Sequence, residues 1–324
     1  MQQHFLQRTW LLLLLITWRC VLFQVCILPL ALATSTQEEI LQKNIIKSPL
    51  GIISMEAAYE TDIWGKVNFS PVPAYFIDTH DPVTQDSYIS ASVHEAKIPW
   101  DSYVWDRIVS LTPADASGLL FVDVGANLGY FSLAAASMGY HVVAFEPMSR
   151  NAKKLAKSIE RNKFGPKVTL YQVAVSDESG ERVVLQPANA SEITSNATSA
   201  LESYVYGIDY AVSITLSDAM QGKDAFLVRV NVGQQKEEGT HALQGAKEWI
   251  CRSVVRHLIL QQSDATTEWN ADMQSLLEFM KSAGYVMSDV AVGSQEFEST
   301  KTETLPSNII LSLPLGREHL RAPC

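Results

Sequence analysis

The chain has 324 residues and a hydrophobic fraction of 47%, enough for one large α/β core or two small ones. Thirty-five acidic against 25 basic residues give a formal charge of −10, which repels polyanions and supplies no counterion-release drive, so a nucleic-acid partner is not expected. The cysteines and histidines form no CxxC or Cys/His pattern with zinc spacing, and no metal site is expected either.

Residues 10–33, WLLLLLITWRCVLFQVCILPLALA, are long enough to span a bilayer, follow Arg8 and are interrupted by one full charge, Arg19. They read either as a signal anchor, making a type II single-pass membrane protein, or as a signal peptide cleaved after Ala31-Leu32-Ala33. Arg19 is costly at mid-bilayer and leaves 21–33 with the length of a signal-peptide core, which tilts the balance slightly toward cleavage. Both readings place the rest of the chain in the secretory pathway, in the ER or Golgi lumen or outside the cell. Three Asn-x-Ser/Thr sequons, at Asn68, Asn189 and Asn196, agree with that placement. Asn68 is the weakest, since Pro71 follows its sequon, while Asn189 and Asn196 lie in a polar stretch, 187–200, that suits a glycan or an unmodified loop. Cys251 and Cys324 can pair in an oxidising compartment, although a buried thiol at Cys251 and a free one in the tail is the plainer expectation.

Residues 34–117 form a lead-in broken by prolines 49, 71, 73, 82 and 99. Within it, 101–111 places Val104, Ile108 and Leu111 on one helical face behind an Asp101 cap, with Trp100 and Trp105 as core residues. After Gly118 short apolar runs alternate with amphipathic segments, the pattern of parallel βαβ units. Strands are expected at 119–124, 141–145, 167–175, 226–232, 255–261 and 308–313. Helices are expected at 128–138, ending at Gly139; at 149–164, with Ala152, Leu155, Ala156 and Ile159 on one face; near 240–251; and around Trp269, Met273, Leu276, Leu277 and Met280. The expected class is an α/β, doubly wound, mostly parallel sheet spanning 118–324.

The chemistry concentrates in VDVGANLGY. Asp123 and Gly125 end the first strand and Gly129 opens the next helix, so the turn passes close beneath a ligand. A dinucleotide fold would carry G-x-G-x-x-G and set a pyrophosphate on the helix N-terminus, whereas this turn has two glycines and a carboxylate before the first. That carboxylate repels a pyrophosphate and suits the ammonium of a methionine moiety, favouring S-adenosyl-L-methionine over NAD. Glu146 ends the second strand 21 residues after Gly125, where an acidic side chain accepts the hydroxyls of a ribose. Singly, Asp123 reads as a turn former and Glu146 as a surface carboxylate; together, at strand ends with this interval, they favour the cofactor reading.

The strings VDVGANLGYFS, VVAFEP and VTLYQVAVSDESG resemble the FkbM family of S-adenosylmethionine-dependent O-methyltransferases, from about Gly118 to Leu313. The resemblance implies a class I methyltransferase, a Rossmann-like fold with a seven-stranded sheet, here behind an N-terminal helical lead-in. It implies that Asp123, Gly125, Ala126, Asn127 and Gly129 surround the methionine end of the cofactor, that Glu146 holds the ribose, and that Pro147 and Met148 lie near the adenine. Gln172, Ala174 and Val175 close the adenine side. The implied reaction is methyl transfer to a hydroxyl of a glycan or small metabolite.

The pattern departs from the family late in the domain. Where the fourth strand is expected to read I-D-V-E-G-x-E and the helix L-x-G-A, the chain reads LVRVNVGQQKEEGTHALQGA. Leu243, Gly245 and Ala246 match, but Asn231 replaces the aspartate, Gly233 replaces the glutamate, and Ser217 replaces an aspartate in SITLSDAM. Asn231, the one catalytic candidate, cannot act as a base at neutral pH yet can position a hydroxyl. Glu237, Glu238, His94 and Glu95 are substitutes to consider as base or orienter. The competing expectation is a binding or scaffold protein of the same fold, with an NAD oxidoreductase a distant third.

Overall fold

A computed structural model describes residues 62–83, 85–86, 89–95, 101–185, 209–232, 236–262, 271–291 and 308–316. The chain divides into two units, 1–36 and 37–324, and every described residue belongs to the second. The apolar stretch 10–33, Trp100, Asn189, Asn196, Trp269, Cys324 and the side chains of Glu237 and Glu238 lie outside the described residues. Among the described residues no helix is long and apolar enough to cross a membrane.

In chain order the elements are β1 (Ile63–Val67), β2 (Tyr75–Thr79), α1 (Ile89–Glu95), α2 (Ser102–Leu111), β3 (Leu120–Val124), α3 (Tyr130–Ser137), β4 (His141–Phe145), α4 (Ser149–Arg161), β5 (Val168–Tyr171), β6 (Ala174–Val175) and β7 (Arg182–Leu185). There follow β8 (Asp209–Ile214), α5 (Leu216–Met220), β9 (Ala225–Val232), α6 (Lys236–Gln244), α7 (Lys247–Arg252), β10 (Val255–Gln262), α8 (Ala271–Ser282), β11 (Val286–Asp289) and β12 (Asn308–Ser312).

Seven strands form the central sheet in the order β11-β12-β10-β9-β3-β4-β5. Strands β5, β4, β3, β9 and β10 run parallel, and β12 is antiparallel to both its neighbours. The chain leaves β3 toward β4 and β5, then crosses back to lay β9 on the other side of β3. The C-terminal ends of β3 and β9 therefore flank the topological switch point, where doubly wound sheets bind ligands.

Alternating residues feed two cores. Val122, Val228 and Leu258 face one side with Trp249, Leu276 and Met280, while Phe121, Leu227 and Ile259 face the other with Trp105, Leu133 and Leu155. Trp105 is core, as its helical position suggests. A parallel sheet covered on both faces needs such near-continuous apolar strands, which is why LFVDV, HVVAF and AFLVRVNV are legible in the sequence.

Four features depart from the sequence reading. The lead-in is not purely helical: β1 and β2 pair antiparallel, with the prolines at 71 and 73 in the connection between them. This hairpin is secured by α4, whose polar face mimics a neighbouring strand. Phe76 donates its N–H to Asn162 Oδ1 (2.8 Å), and Asp78 donates its own to Ser158 Oγ (2.8 Å). The run 167–175 is not one strand, because β5 stops at Tyr171 and β6 joins β8 and β7 in a separate three-stranded sheet. The seventh strand, β11, is four residues long with only Met287 fully buried, too short and mixed to stand out. Lastly, Cys251 is disulfide-bonded rather than a free thiol.

Candidate functional site

The turn after β3 is built on three left-handed residues, Gly125 (φ 74), Asn127 (φ 53) and Gly129 (φ 86). The N–H groups of Gly125 and Ala126 both donate to Phe145 O (3.0 Å each), folding the turn over the end of β4. The two glycines are needed for different reasons. A Cβ on Gly125 would lie 3.2 Å from Asn231 Cβ, whereas one on Gly129 would overlap Leu155 Cδ1. Gly129 thus fixes how closely α3 packs on α4, and Gly125 how closely β3 approaches β9.

Glu146 closes this turn from below. Its Oε2 accepts from the Asn127 N–H (2.7 Å), and its Oε1 accepts from the Met148 N–H (3.0 Å) and Asn151 Nδ2 (3.4 Å). The side chain is buried, and burial pushes its carboxyl up to about 7; the three hydrogen bonds oppose this and the Asp123 charge adds to it. Asn151 is held in turn by buried His80, whose Nε2 lies 2.8 Å from Asn151 Oδ1. Because that amide already donates from Nδ2 to Glu146, the ring must donate from Nε2. A residue at the end of the lead-in hairpin therefore helps orient the carboxylate at the switch point.

Asp123 is not directed at the turn opening. The parallel register pairs it with Arg229, and the two side chains form a sealed ion pair, Arg229 Nη1 to Asp123 Oδ1 at 2.7 Å. Ser132 Oγ donates to the other oxygen (2.6 Å), and no part of Asp123 reaches solvent. The guanidinium also lies over the Phe131 ring (4.3 Å) and donates from Nε to Gln261 Oε1 (2.8 Å). A buried guanidinium needs a nearby anion, and Asp123 supplies it from the adjacent strand.

Asn231 stands near the end of β9 beside Gly125 and in register with Gln261 on β10. Pro147 and Met148 are half-buried at the start of α4, whose Ser149 N–H donates to Asp209 Oδ2 (2.6 Å). Asp209 begins β8, so the start of that strand lies on the Met148 side of the site. Gln172 and Val175 are half-buried and Ala174 buried, where the chain passes from β5 to β6. His94 is exposed on α1 and hydrogen-bonded through Nε2 to Thr79 Oγ1 (2.9 Å), on the hairpin rather than at the turn. Exposed Asn68 lies just after β1.

Ser217 also has a structural task, since its hydroxyl donates to Gly245 O (2.6 Å) and accepts from the Trp249 N–H (3.2 Å). Gly245 of the matching LQGA segment packs against Ser176 O, where a side chain would collide. Among the described residues no three His, Cys, Asp or Glu side chains group to hold a metal ion.

Sequence reasoning missed Arg229, Gln261 and His80. Arg229 carried a usable signal: a cation inside the apolar run LVRVNV must be buried, and a buried cation demands a carboxylate on an adjacent strand.

The strand order, the single reversed strand β12 and the glycine turn at the switch point define a Rossmann-like fold of the class I methyltransferase type. No protein-family model matches the chain, and no curated protein is significantly similar to it in sequence. Solved structures similar to it include a SAM-dependent methyltransferase from Agrobacterium tumefaciens (10% identity, TM-score 0.43, covering 78% of this chain and 69% of that one). An rRNA methyltransferase from T. thermophilus, solved with AdoMet and guanosine, is similar at 12% identity and TM-score 0.44, over 78% of this chain and 52% of that one. A precorrin-6y methyltransferase from Geobacter metallireducens is similar at 12% identity and TM-score 0.35, over 66% and 89%.

Proposed function

We propose that the chain is an S-adenosylmethionine-dependent methyltransferase of the FkbM type, acting on a hydroxyl of a glycan or small metabolite. The observation that carries this reading is Glu146: a buried carboxylate at the end of β4, joined to the glycine turn through Asn127 and to α4 through Met148. A ribose diol needs an acceptor at this point, and a carboxylate offers about four acceptor positions, of which three are used here, one by a long bond. Gly125, Ala126, Asn127 and Gly129 supply a backbone that a ligand can approach closely. Pro147 and Met148, with Gln172, Ala174 and Val175, supply the adenine side. Asp123 acts through the fold, by neutralising Arg229 beneath the turn.

When bound, S-adenosylmethionine supplies the transferable methyl; the protein's part is to align an acceptor hydroxyl with it. Asn231, next to Gly125, is placed to hold that hydroxyl by hydrogen bonding. The acidic balance of the chain favours a neutral acceptor over a nucleic acid. The test is incubation with S-adenosylmethionine carrying a labelled methyl and an extract of glycans and metabolites. Label should pass to an organic acceptor, and Asn231→Ala should diminish it. The absence of carboxylates at 231 and 233 supports a second reading, a cofactor-binding scaffold, which predicts S-adenosylhomocysteine binding with no label transferred.

We also place residues 34–324 in the secretory pathway, behind the anchor or cleaved signal of residues 1–33, with 118–324 as the catalytic domain and 34–117 as its lead-in. The apolar stretch, the sequons at Asn68, Asn189 and Asn196, and the disulfide at Cys251 support this, since disulfides persist in oxidising compartments. A mobility shift on glycosidase treatment, with N-terminal sequencing of the mature chain, tests it.

A further inference from the structure

If the site transfers a methyl to a hydroxyl, a group must take the hydroxyl's proton, and the amide of Asn231 cannot. The fourth strand carries no replacement among its described residues, but a carboxylate reaches the same sheet edge from outside the sheet. Asp101, immediately before α2, accepts a hydrogen bond at Oδ2 from Gln261 Nε2. Gln261 is the register partner of Asn231, and partners in parallel strands project from one face, so Asp101 is tied to the residue next to Asn231 at the C-terminal edge of β9 and β10. One turn further along α2, the Trp105 ring lies 5.2 Å from that of Tyr130, the residue after Gly129, so α2 packs against the start of α3 where the glycine turn ends.

Three features set Asp101 apart from an ordinary helix cap. An N-cap aspartate usually takes an extended backbone and accepts from an N–H of the first turn; Asp101 has φ 50, ψ 58 and makes no such bond. Left-handed backbone in a residue other than glycine is costly and concentrates where a side chain must be aimed. The aim is fixed from behind, because Arg229 donates to Gln261 Oε1, leaving the Nε2 end of the amide to face Asp101, and Arg229 is itself anchored by Asp123. Gln261, Arg229 and Asp123 are sealed from solvent, whereas Asp101 is only half-buried, so the chain of contacts ends on a carboxylate that a substrate can reach. Burial raises the Asp101 carboxyl from its ordinary range and the Arg229 charge opposes the rise. The raised value makes the ionised form a better proton acceptor than a surface aspartate.

We propose that Asp101 is the catalytic carboxylate of this site and that Gln261 positions it. This rests on the methyltransferase reading above. In the step, the acceptor oxygen forms a bond to the methyl carbon as the carbon–sulfur bond breaks, and that electron pair converts the sulfonium to a neutral thioether. The hydroxyl proton passes to the Asp101 carboxylate, which returns it to solvent. A hydroxyl, a sulfonium and a carboxylate thus become a methyl ether, a thioether and a carboxylic acid, with atoms and charge balanced.

The test needs no knowledge of the acceptor. Sinefungin carries an amine-bearing carbon where S-adenosylmethionine has its methylsulfonium, so its ammonium stands where the methyl and the acceptor meet. Calorimetry on the full chain in detergent should show sinefungin binding tighter than S-adenosylhomocysteine, a preference for a charge-assisted contact of about tenfold. Asp101→Asn should abolish that preference and leave S-adenosylhomocysteine affinity unchanged, while Asp101→Glu should retain part of it. Asp101→Ser reads the same ratio if Asp101→Asn does not fold. No preference in the wild type, or an equal preference in the variants, overturns the assignment of Asp101 while the cofactor reading stands. Binding of neither ligand overturns the methyltransferase reading and this assignment with it.

Discussion

Arg229 Nη1 lies 2.7 Å from Asp123 Oδ1 across the β3–β9 pair, with both side chains sealed from water. The carboxylate that marks the motif in sequence is thus the counter-charge of a guanidinium one strand away. Removing either partner strands the other in the core. Asp123→Ala or Arg229→Met should lower stability by about 3–5 kcal/mol, read from denaturant midpoints, and the double variant Asp123→Leu/Arg229→Met should recover much of it. An Asp123→Ala protein as stable as wild type that fails to bind S-adenosylhomocysteine would instead return this side chain to direct ligand contact.

Gly129 has φ 86 and no room for a Cβ against Leu155. Gly129→Ala should therefore cost about 1–3 kcal/mol in backbone strain alone, and more from the collision. Thermal melting of the single variant and of Gly129→Ala/Leu155→Ala separates the two, since the second substitution relieves only the collision.

Glu146 titrates at about 7 in the folded protein, above its ordinary 4.5. Between these values the folded state binds more protons than the unfolded one, so this group's contribution to stability falls as pH rises through that window. Glu146→Gln should remove this slope from a series of unfolding curves. Ligand binding runs the other way, because an ionised carboxylate is the stronger acceptor for ribose hydroxyls. S-adenosylhomocysteine affinity should rise from pH 6 toward 8, by at most about tenfold per pH unit below the pKa, and should be flat in Glu146→Gln.

His80 reaches Glu146 through Asn151. His80→Ala should weaken S-adenosylhomocysteine binding by about two- to tenfold, the range of one neutral hydrogen bond, without abolishing it. His80→Ala in the Asn151→Ala background should add little, which calorimetry on the single and double variants would read.

The parallel sheet was legible because strands buried on both faces must be apolar throughout, as LFVDV and HVVAF are, and because Gly125, Gly129 and Glu146 mark the switch point by spacing alone. What escaped were features set by tertiary pairing. The short strand β11 exists because β12 offers it an edge, and Ala174–Val175 leaves the run begun at Val168 because β8 competes for it. Asp101 looked like a helix cap, and only the fold shows its carboxylate taken by Gln261, 160 residues away. The partner of Asp123 is hidden for the same reason, since Arg229 lies 106 residues on and meets it only once β9 is laid beside β3.

The central claim is that the turn at Gly125 and the carboxylate of Glu146 form a binding site for the adenosyl cofactor, and calorimetry of the purified chain with S-adenosylhomocysteine tests it most directly. Saturable binding is expected at one ligand per chain, weakened at least about tenfold by Glu146→Ala through loss of the ribose hydrogen bonds. A wild-type protein that binds no S-adenosylhomocysteine, or whose binding is indifferent to Glu146→Ala, would contradict it.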